Sequence, residues 1–252
     1  MRLRLKSLLG ALWMAGATPV MADDACRIVH HAGADYAVCS FDPARDAIDL
    51  FHTGRDGRPF GGFSALARDL RLEGRALRFA MNAGMYEDDL SPVGLLVIGG
   101  RERKTAALGE GWGNFYLRPN GVFYLAGGKA GVMETGRFVT SAIRPDAATQ
   151  SGPMLVIDGG IHPAFRPQSD SLQIRNGVGV DNKGQAVFVI SLTPVRFYDF
   201  ATLYRDQLDC ANALFLDGHI SSLYAPSLGR FDGGRPMGPI LAVTRPMPGT
   251  RD

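Results

Sequence analysis

Between Leu77 and Leu216 the apolar residues come in short runs, and each run stops at a residue that turns the chain. The run 77–81 ends at Asn82, 94–98 at Gly99, 154–157 at Asp158 and 213–216 at Asp217. Runs of this length suit strands better than helices, which need about 10–12 residues. The 32 Gly and 15 Pro residues of the 252-residue chain supply the turns between them. A helical bundle is therefore excluded, and many short strands are expected.

Two hairpins are predicted. The segments 114–117 and 122–125 surround Asn120-Gly121, a favoured turn pair. The segments 177–180 and 186–190 surround Asp181-Asn182-Lys183-Gly184, and their greater apolarity predicts a central position. Helical spacing is confined to two stretches. Phe63 to Leu72 carries apolar residues at Phe63, Leu66, Leu70 and Leu72, with Ser64 as the expected cap. Tyr198 to Leu208 carries Phe200, Leu203, Tyr204 and Leu208, with Asp199 as the expected cap. The predicted fold class is α+β: a single domain with a large mixed, curved β-sheet and a few covering helices.

The N-terminus has the layout of a cleavable export signal. Arg2, Arg4 and Lys6 precede a mostly apolar stretch from Leu8 to Val20, and Val20-Met21-Ala22 offers a small-residue cleavage site. The stretch is shorter than the about 20 residues a membrane span needs. Residues 1–22 are thus expected to be a signal peptide and 23–252 the working domain, periplasmic or secreted. The formal charge of +2 falls to about −1 once Arg2, Arg4 and Lys6 are removed. No basic stripe for nucleic acid and no later membrane span is present.

Outside the cytosol a disulfide is permitted. Cys26 and Cys39 flank a predicted hairpin and are the expected pair, which leaves Cys210 as a buried thiol. No His-x-x-x-His or paired-Cys spacing suggests a structural zinc site. A divalent cation held by Asp217 and backbone carbonyls is compatible with the sequence, which does not require one. A Gly-x-Ser-x-Gly elbow is missing, which argues against a serine hydrolase.

Three segments concentrate the chemistry. The run 213–216 delivers Asp217, Gly218, His219, Ser221 and Ser222 at its carboxyl end. Asn82, Ala83, Gly84, Met85 and Tyr86 follow another run, and Arg175 and Asn176 open the Gly-rich segment 175–179. A guanidinium suits bidentate binding of phosphate or carboxylate.

Together with Gly152-Pro153, these segments resemble the phosphodiester glycosidase family in order and spacing from about Leu77 to Tyr224. Its strand ending in Asn-Gly-Gly-Phe-aromatic reads Asn82-Ala83-Gly84-Met85-Tyr86, and its Asp-Gly-Gly-Gly-Ser-Ser reads Asp217-Gly218-His219-Ile220-Ser221-Ser222. The substitutions at Ala83, His219 and Ile220 predict an altered pocket rim.

The resemblance implies hydrolysis of a glycosidic phosphodiester or a related cell-envelope glycan. It assigns Asp217 as acid–base carboxylate and Arg175 as anion site. Asn82, Gly84, Tyr86, Gly152, Asn176, Gly218, His219, Ser221 and Ser222 are assigned to substrate. Glycosidases usually pair two carboxyls, and Glu87, Asp88, Asp89 and Glu134 are the candidates for the second. The competing reading is a carbohydrate-binding or envelope-assembly protein that keeps the fold without turnover.

Overall fold

Side-chain alternation along the strand Ala34–Phe41 sets the architecture. Ala37, Cys39 and Phe41 enter one buried cluster, while Tyr36 and Val38 enter a second on the opposite face. A strand buried on both faces needs a layer on each side. The computed structural model describes residues 25–217, 220–247 and 249, and shows what those layers are.

Three sheets share the inner core. The first has seven strands in the spatial order Cys26–His31, Ala34–Phe41, Ala186–Ser191, Asn176–Val180, Asn212–Asp217, Met154–Ile157 and Gly160–Ile161. The second runs Arg230–Phe231, Leu223–Ala225, Arg75–Asn82, Ile240–Pro246 and Ala47–Phe51. The third runs Arg101–Lys104, Leu96–Ile98, Ala147–Ser151, Gly121–Ala126 and Lys129–Glu134. Phe188 of the first sheet meets Phe79 of the second at 5.2 Å and Phe123 of the third at 5.9 Å between ring centroids.

The α+β class is as expected, and the sheet is divided. Strand pairing in all three sheets is antiparallel. Parallel pairing would need crossovers of a dozen or more residues, usually helical, and the described residues hold few helices.

Those helices cover the outer faces. Phe63–Leu72 places Phe63, Leu66 and Leu70 over Leu77, Ala80 and Ile240. Thr135–Val139 places Phe138 over Val122 and Leu95. Phe197–Thr202, continued by the wider turn Leu203–Gln207, lays Phe200, Leu203 and Tyr204 over Val187, Val189 and Phe215. This close approach explains the glycines of Asn176–Val180. A Cβ on Gly179 would lie 2.8 Å from Cys210 Sγ and 2.9 Å from Tyr204 Cδ1.

Three local expectations change. The residues 114–117 do not form a hairpin arm. Asn114–Tyr116 is a single 3₁₀ turn, and Gly121–Ala126 pairs instead with Lys129–Glu134. Gly62 rather than Ser64 caps the first helix. Arg196 rather than Asp199 caps the third, because that helix begins at Phe197 and carries Asp199 inside its first turn.

The Cys26–Cys39 disulfide is present across the first hairpin, at directly paired positions. Cys210 is a buried free thiol. No helix of the described residues is long and apolar enough to cross a membrane. The predicted signal, residues 1–22, lies outside the described residues.

Candidate active site

Strand ends from two sheets converge at one place. Asn82 closes Arg75–Asn82, Asn176 opens Asn176–Val180, and Asp217 closes Asn212–Asp217. Asn176 and Asp217 are paired neighbours beside an irregularity in the ladder. From Asp217 the chain leaves the first sheet and joins the second at Leu223–Ala225.

Hydrogen bonds fix this junction. The Asp217 N–H donates to Asn176 Oδ1 at 3.0 Å. Asn176 Nδ2 donates to Asn82 O at 3.1 Å and Asn82 Oδ1 at 3.0 Å. Asn82 Oδ1 also accepts the Ser222 N–H at 2.9 Å, and Ser221 Oγ donates to the Asp217 carbonyl at 2.8 Å. The backbone donors leave no ambiguity about either amide, since only an oxygen can accept from an N–H. Asn82 and Asn176 are fully buried, so each bond is made where water cannot replace it. Among the described residues Asn82 Nδ2 is a buried donor with no partner.

Asp217, 8 % exposed, lines a cleft of about 550 Å³. Its walls include Met85, Tyr86, Glu87, Asp88, Trp112, Phe115 and Tyr116. That volume and this mix of aromatic walls with a few polar groups suit a small-molecule site. Tyr86 donates its hydroxyl to Pro236 O at 3.0 Å. Burial pushes that hydroxyl above its ordinary value of 10.0, the Asp217 charge pushes it further, and Arg235 opposes both. Tyr86 therefore stays protonated at neutral pH between a carboxylate and a guanidinium.

A second concavity of about 560 Å³ adjoins the first at Ile220, which lines both. Ser221, Ser222, Arg230, Asp232 and Arg235 line it. Arg230 is tied to Asp232 at 2.6 Å. Arg235 is exposed and forms no ion pair among the described residues.

The remaining predicted residues have other surroundings. Arg175 is 1 % exposed. Its Nε donates to Val195 O at 2.9 Å and one terminal nitrogen to Ser171 O at 3.0 Å. Its guanidinium carbon lies 3.6 Å from the centroid of the Phe197 ring. Burial brings its pKa down to about 10, so it keeps its charge at neutral pH. The guanidinium thus faces backbone carbonyls and an aromatic ring, and it lines neither concavity.

Gly84 and Gly152 act through the backbone. A Cβ on Gly84 would fall 2.3 Å from Gln150 O, and one on Gly152 would fall 2.7 Å from Phe115 O. Gly218 and His219 lie outside the described residues.

The carboxylate candidates separate. Glu87 and Asp88 line the cleft with Asp217. Glu134 instead caps the helix Thr135–Val139, accepting from Gly136 N and Arg137 N at 2.8 Å each. Asp89 accepts the Ser91 N–H in its own turn. Among the described residues no group of three His, Cys, Asp or Glu side chains could hold a metal ion.

Sequence reasoning missed Arg235, Tyr116 and Trp112. One signal was available for the last. Trp112 stands alone in Gly109-Glu110-Gly111-Trp112-Gly113, where no apolar periodicity explains a large ring.

The family model described as phosphodiester glycosidase matches residues 75–244, which span every element of this junction. The chain belongs to the phosphodiester glycosidase family. Membership makes it a glycosidase acting on phosphodiesters, in agreement with the resemblance carried by its motifs.

The uncharacterized protein YigE of Escherichia coli (strain K12) is 36 % identical over 222 residues, 88 % of this chain and 86 % of that one. The catalytic domain of zebrafish N-acetylglucosamine-1-phosphodiester alpha-N-acetylglucosaminidase, solved auto-inhibited by its pro-peptide, has the same fold. Its TM-score is 0.59 at 13 % identity, over 86 % of this chain and 81 % of that one. A hypothetical protein from Synechocystis gives a TM-score of 0.56 at 15 % identity. There 87 % of this chain covers only 61 % of that one.

Proposed function

We propose that this phosphodiester glycosidase works outside the cytosol, in the periplasm or after secretion. Its substrate is a sugar joined through its anomeric carbon to a phosphodiester, or a related envelope glycan. The export-type leader 1–22 and the Cys26–Cys39 disulfide support the location.

The observation that carries the chemistry is the anchored backbone of Asp217 at the wall of the cleft. Asp217 is gripped through its N–H by Asn176 and through its carbonyl by Ser221, and it faces a cleft large enough for a sugar phosphate. A carboxylate so placed takes a proton from the attacking water. Water oxygen bonds to the anomeric carbon, the bond from that carbon to the phosphate oxygen breaks, and the phosphate departs with its electron pair. The departing phosphate is already a weak base, so the demand for a general acid is modest.

Charge on the phosphate still needs a cation. The sequence motifs alone give this task to Arg175. In our reading Arg235 takes the anion, because its exposed guanidinium lines the adjoining concavity and acts electrostatically on Tyr86. Arg175 positions the entry to Asn176–Val180. Asn82, Asn176, Ser221 and Ser222 hold the loop that carries Asp217, and Tyr86 contacts the substrate.

The test is a release assay on a panel of sugar-1-phosphate methyl esters, run with the parent chain and with Asp217→Asn. Release of free sugar by the parent and a loss of about 10²–10⁴-fold in the variant are expected for a general base. Unchanged turnover in Asp217→Asn removes the carboxylate from the mechanism. Binding without release by the parent favours the carbohydrate-binding reading.

A further inference from the structure

The least covered large side chain near the cleft is Trp112, whose surface is 98 % exposed. It lines the same cleft as Asp217, on a wall shared with Phe115 and Tyr116. An indole in water on a surface loop gives up the stabilisation that burial would bring. Such rings belong with surfaces that meet a partner which is apolar on one side and polar on the other.

The loop under Trp112 is built rather than loose. The Gln150 side chain accepts from Ala107 N and donates to Ala107 O, both at 2.9 Å, so it holds the loop's entry like a neighbouring strand. Arg118 donates to the carbonyls of Leu108 and Gly109. Gly111 lies flat on Tyr116, where a Cβ would fall 2.5 Å from the ring. Three anchors within five residues fix the backbone that carries the indole, and the ring itself is left uncovered.

We propose that Trp112 is the stacking platform for the sugar ring of the substrate. One face of a pyranose presents C–H groups and its edge presents hydroxyls. The C–H face covers the indole while the hydroxyls remain in water or reach polar groups of the cleft. The polarised C–H groups also favour the negative face of the indole π-system. The sugar identity of the ligand rests on the hydrolase reading above; the exposed, anchored indole beside Asp217 does not.

The chain has two tryptophans, Trp13 and Trp112, and Trp13 falls in the leader stretch. In a Trp13→Phe background, fluorescence excited to the red of the tyrosine band therefore reports Trp112 alone. Sugar-1-phosphate methyl esters are titrated into that protein and into its Asp217→Asn counterpart, with acrylamide as quencher. Emission should move to shorter wavelength and acrylamide quenching should fall in both, because stacking does not require turnover.

In steady-state assays Trp112→Ala should raise KM about tenfold, with Trp112→Phe recovering most of the loss. The melting temperature of both should match the parent, since the side chain is uncovered. A fluorescence response without turnover supports the platform and overturns the hydrolase reading. Turnover with unchanged KM in Trp112→Ala and no spectral response overturns the platform alone. Neither response nor turnover on the whole panel overturns both.

Discussion

Asn176 Oδ1 accepts the backbone N–H of Asp217 at 3.0 Å, and this bond ties the candidate base to a different strand end. Through its Nδ2 the same side chain holds Asn82 at 3.0 Å. One buried amide therefore sets the distance between the two motifs that bracket the site. Asn176→Ala leaves a buried N–H without its acceptor, which costs about 1–3 kcal/mol. Asn176→Asp keeps an acceptor for Asp217 but adds a second carboxylate beside it, which raises the pKa of the pair's last proton. The expected result is a fall in kcat larger than any rise in KM for both variants. For Asn176→Asp the acidic limb of the rate profile should also move to higher pH. Equal melting temperatures and unchanged pH profiles would falsify this positioning role.

The four acidic residues offered by the sequence should divide according to their surroundings. Glu87 and Asp88 share the cleft with Asp217, so Glu87→Gln and Asp88→Asn test which one is the partner carboxyl. One of the two should lower kcat by about 10²-fold or more. Glu134→Gln should leave kcat and KM unchanged and lose about 1 kcal/mol of stability, because its carboxylate caps Thr135–Val139. Kinetics paired with thermal unfolding separate the two behaviours.

Two arginines should respond in opposite ways. Arg175→Met leaves Val195 O and Ser171 O without their donors in a buried setting, and a loss of about 2–4 kcal/mol is expected. Arg235 is exposed, so Arg235→Ala should melt like the parent. Its KM should rise about tenfold at low salt, and the difference should shrink as ionic strength increases. A parent-like KM at all salt concentrations would move the anion site elsewhere.

The contrast between these arginines shows where the sequence stops being informative. An Arg at the mouth of a Gly-rich strand reads the same whether its guanidinium enters the cleft or turns back. Phe197, on a helix 22 positions later, decides it by stacking on the guanidinium. Asp217 was legible because a buried apolar run must deliver its last polar residue to an edge of the core. The Cys26–Cys39 bridge was legible because its partners sit in one hairpin. The division into three sheets was not, since Arg75–Asn82 pairs with Ile240–Pro246 across most of the chain and no local pattern records that choice. Glu134 looked like any other acid until the helix behind it made it a cap.

Alkaline pH should weaken the fold through groups buried in neutral form. Burial raises the pKa of Tyr36, Tyr86 and Tyr204 above the ordinary 10.0, and that of the Cys210 thiol above 9.0. In the unfolded chain these groups lose their protons near their ordinary values, whereas the folded chain retains them. The unfolded state then binds fewer protons, so stability falls as pH rises. The stabilisation is fully present below about pH 9 and is lost progressively above it, first through Cys210 and then through the tyrosines. Melting temperatures measured from pH 7 to 11 should be flat in this respect to about pH 9 and then decline. Cys210→Ser should remove the earliest part of the decline, because a serine hydroxyl does not titrate in this range. A decline of the same onset in that variant would assign the whole alkaline effect to the tyrosines.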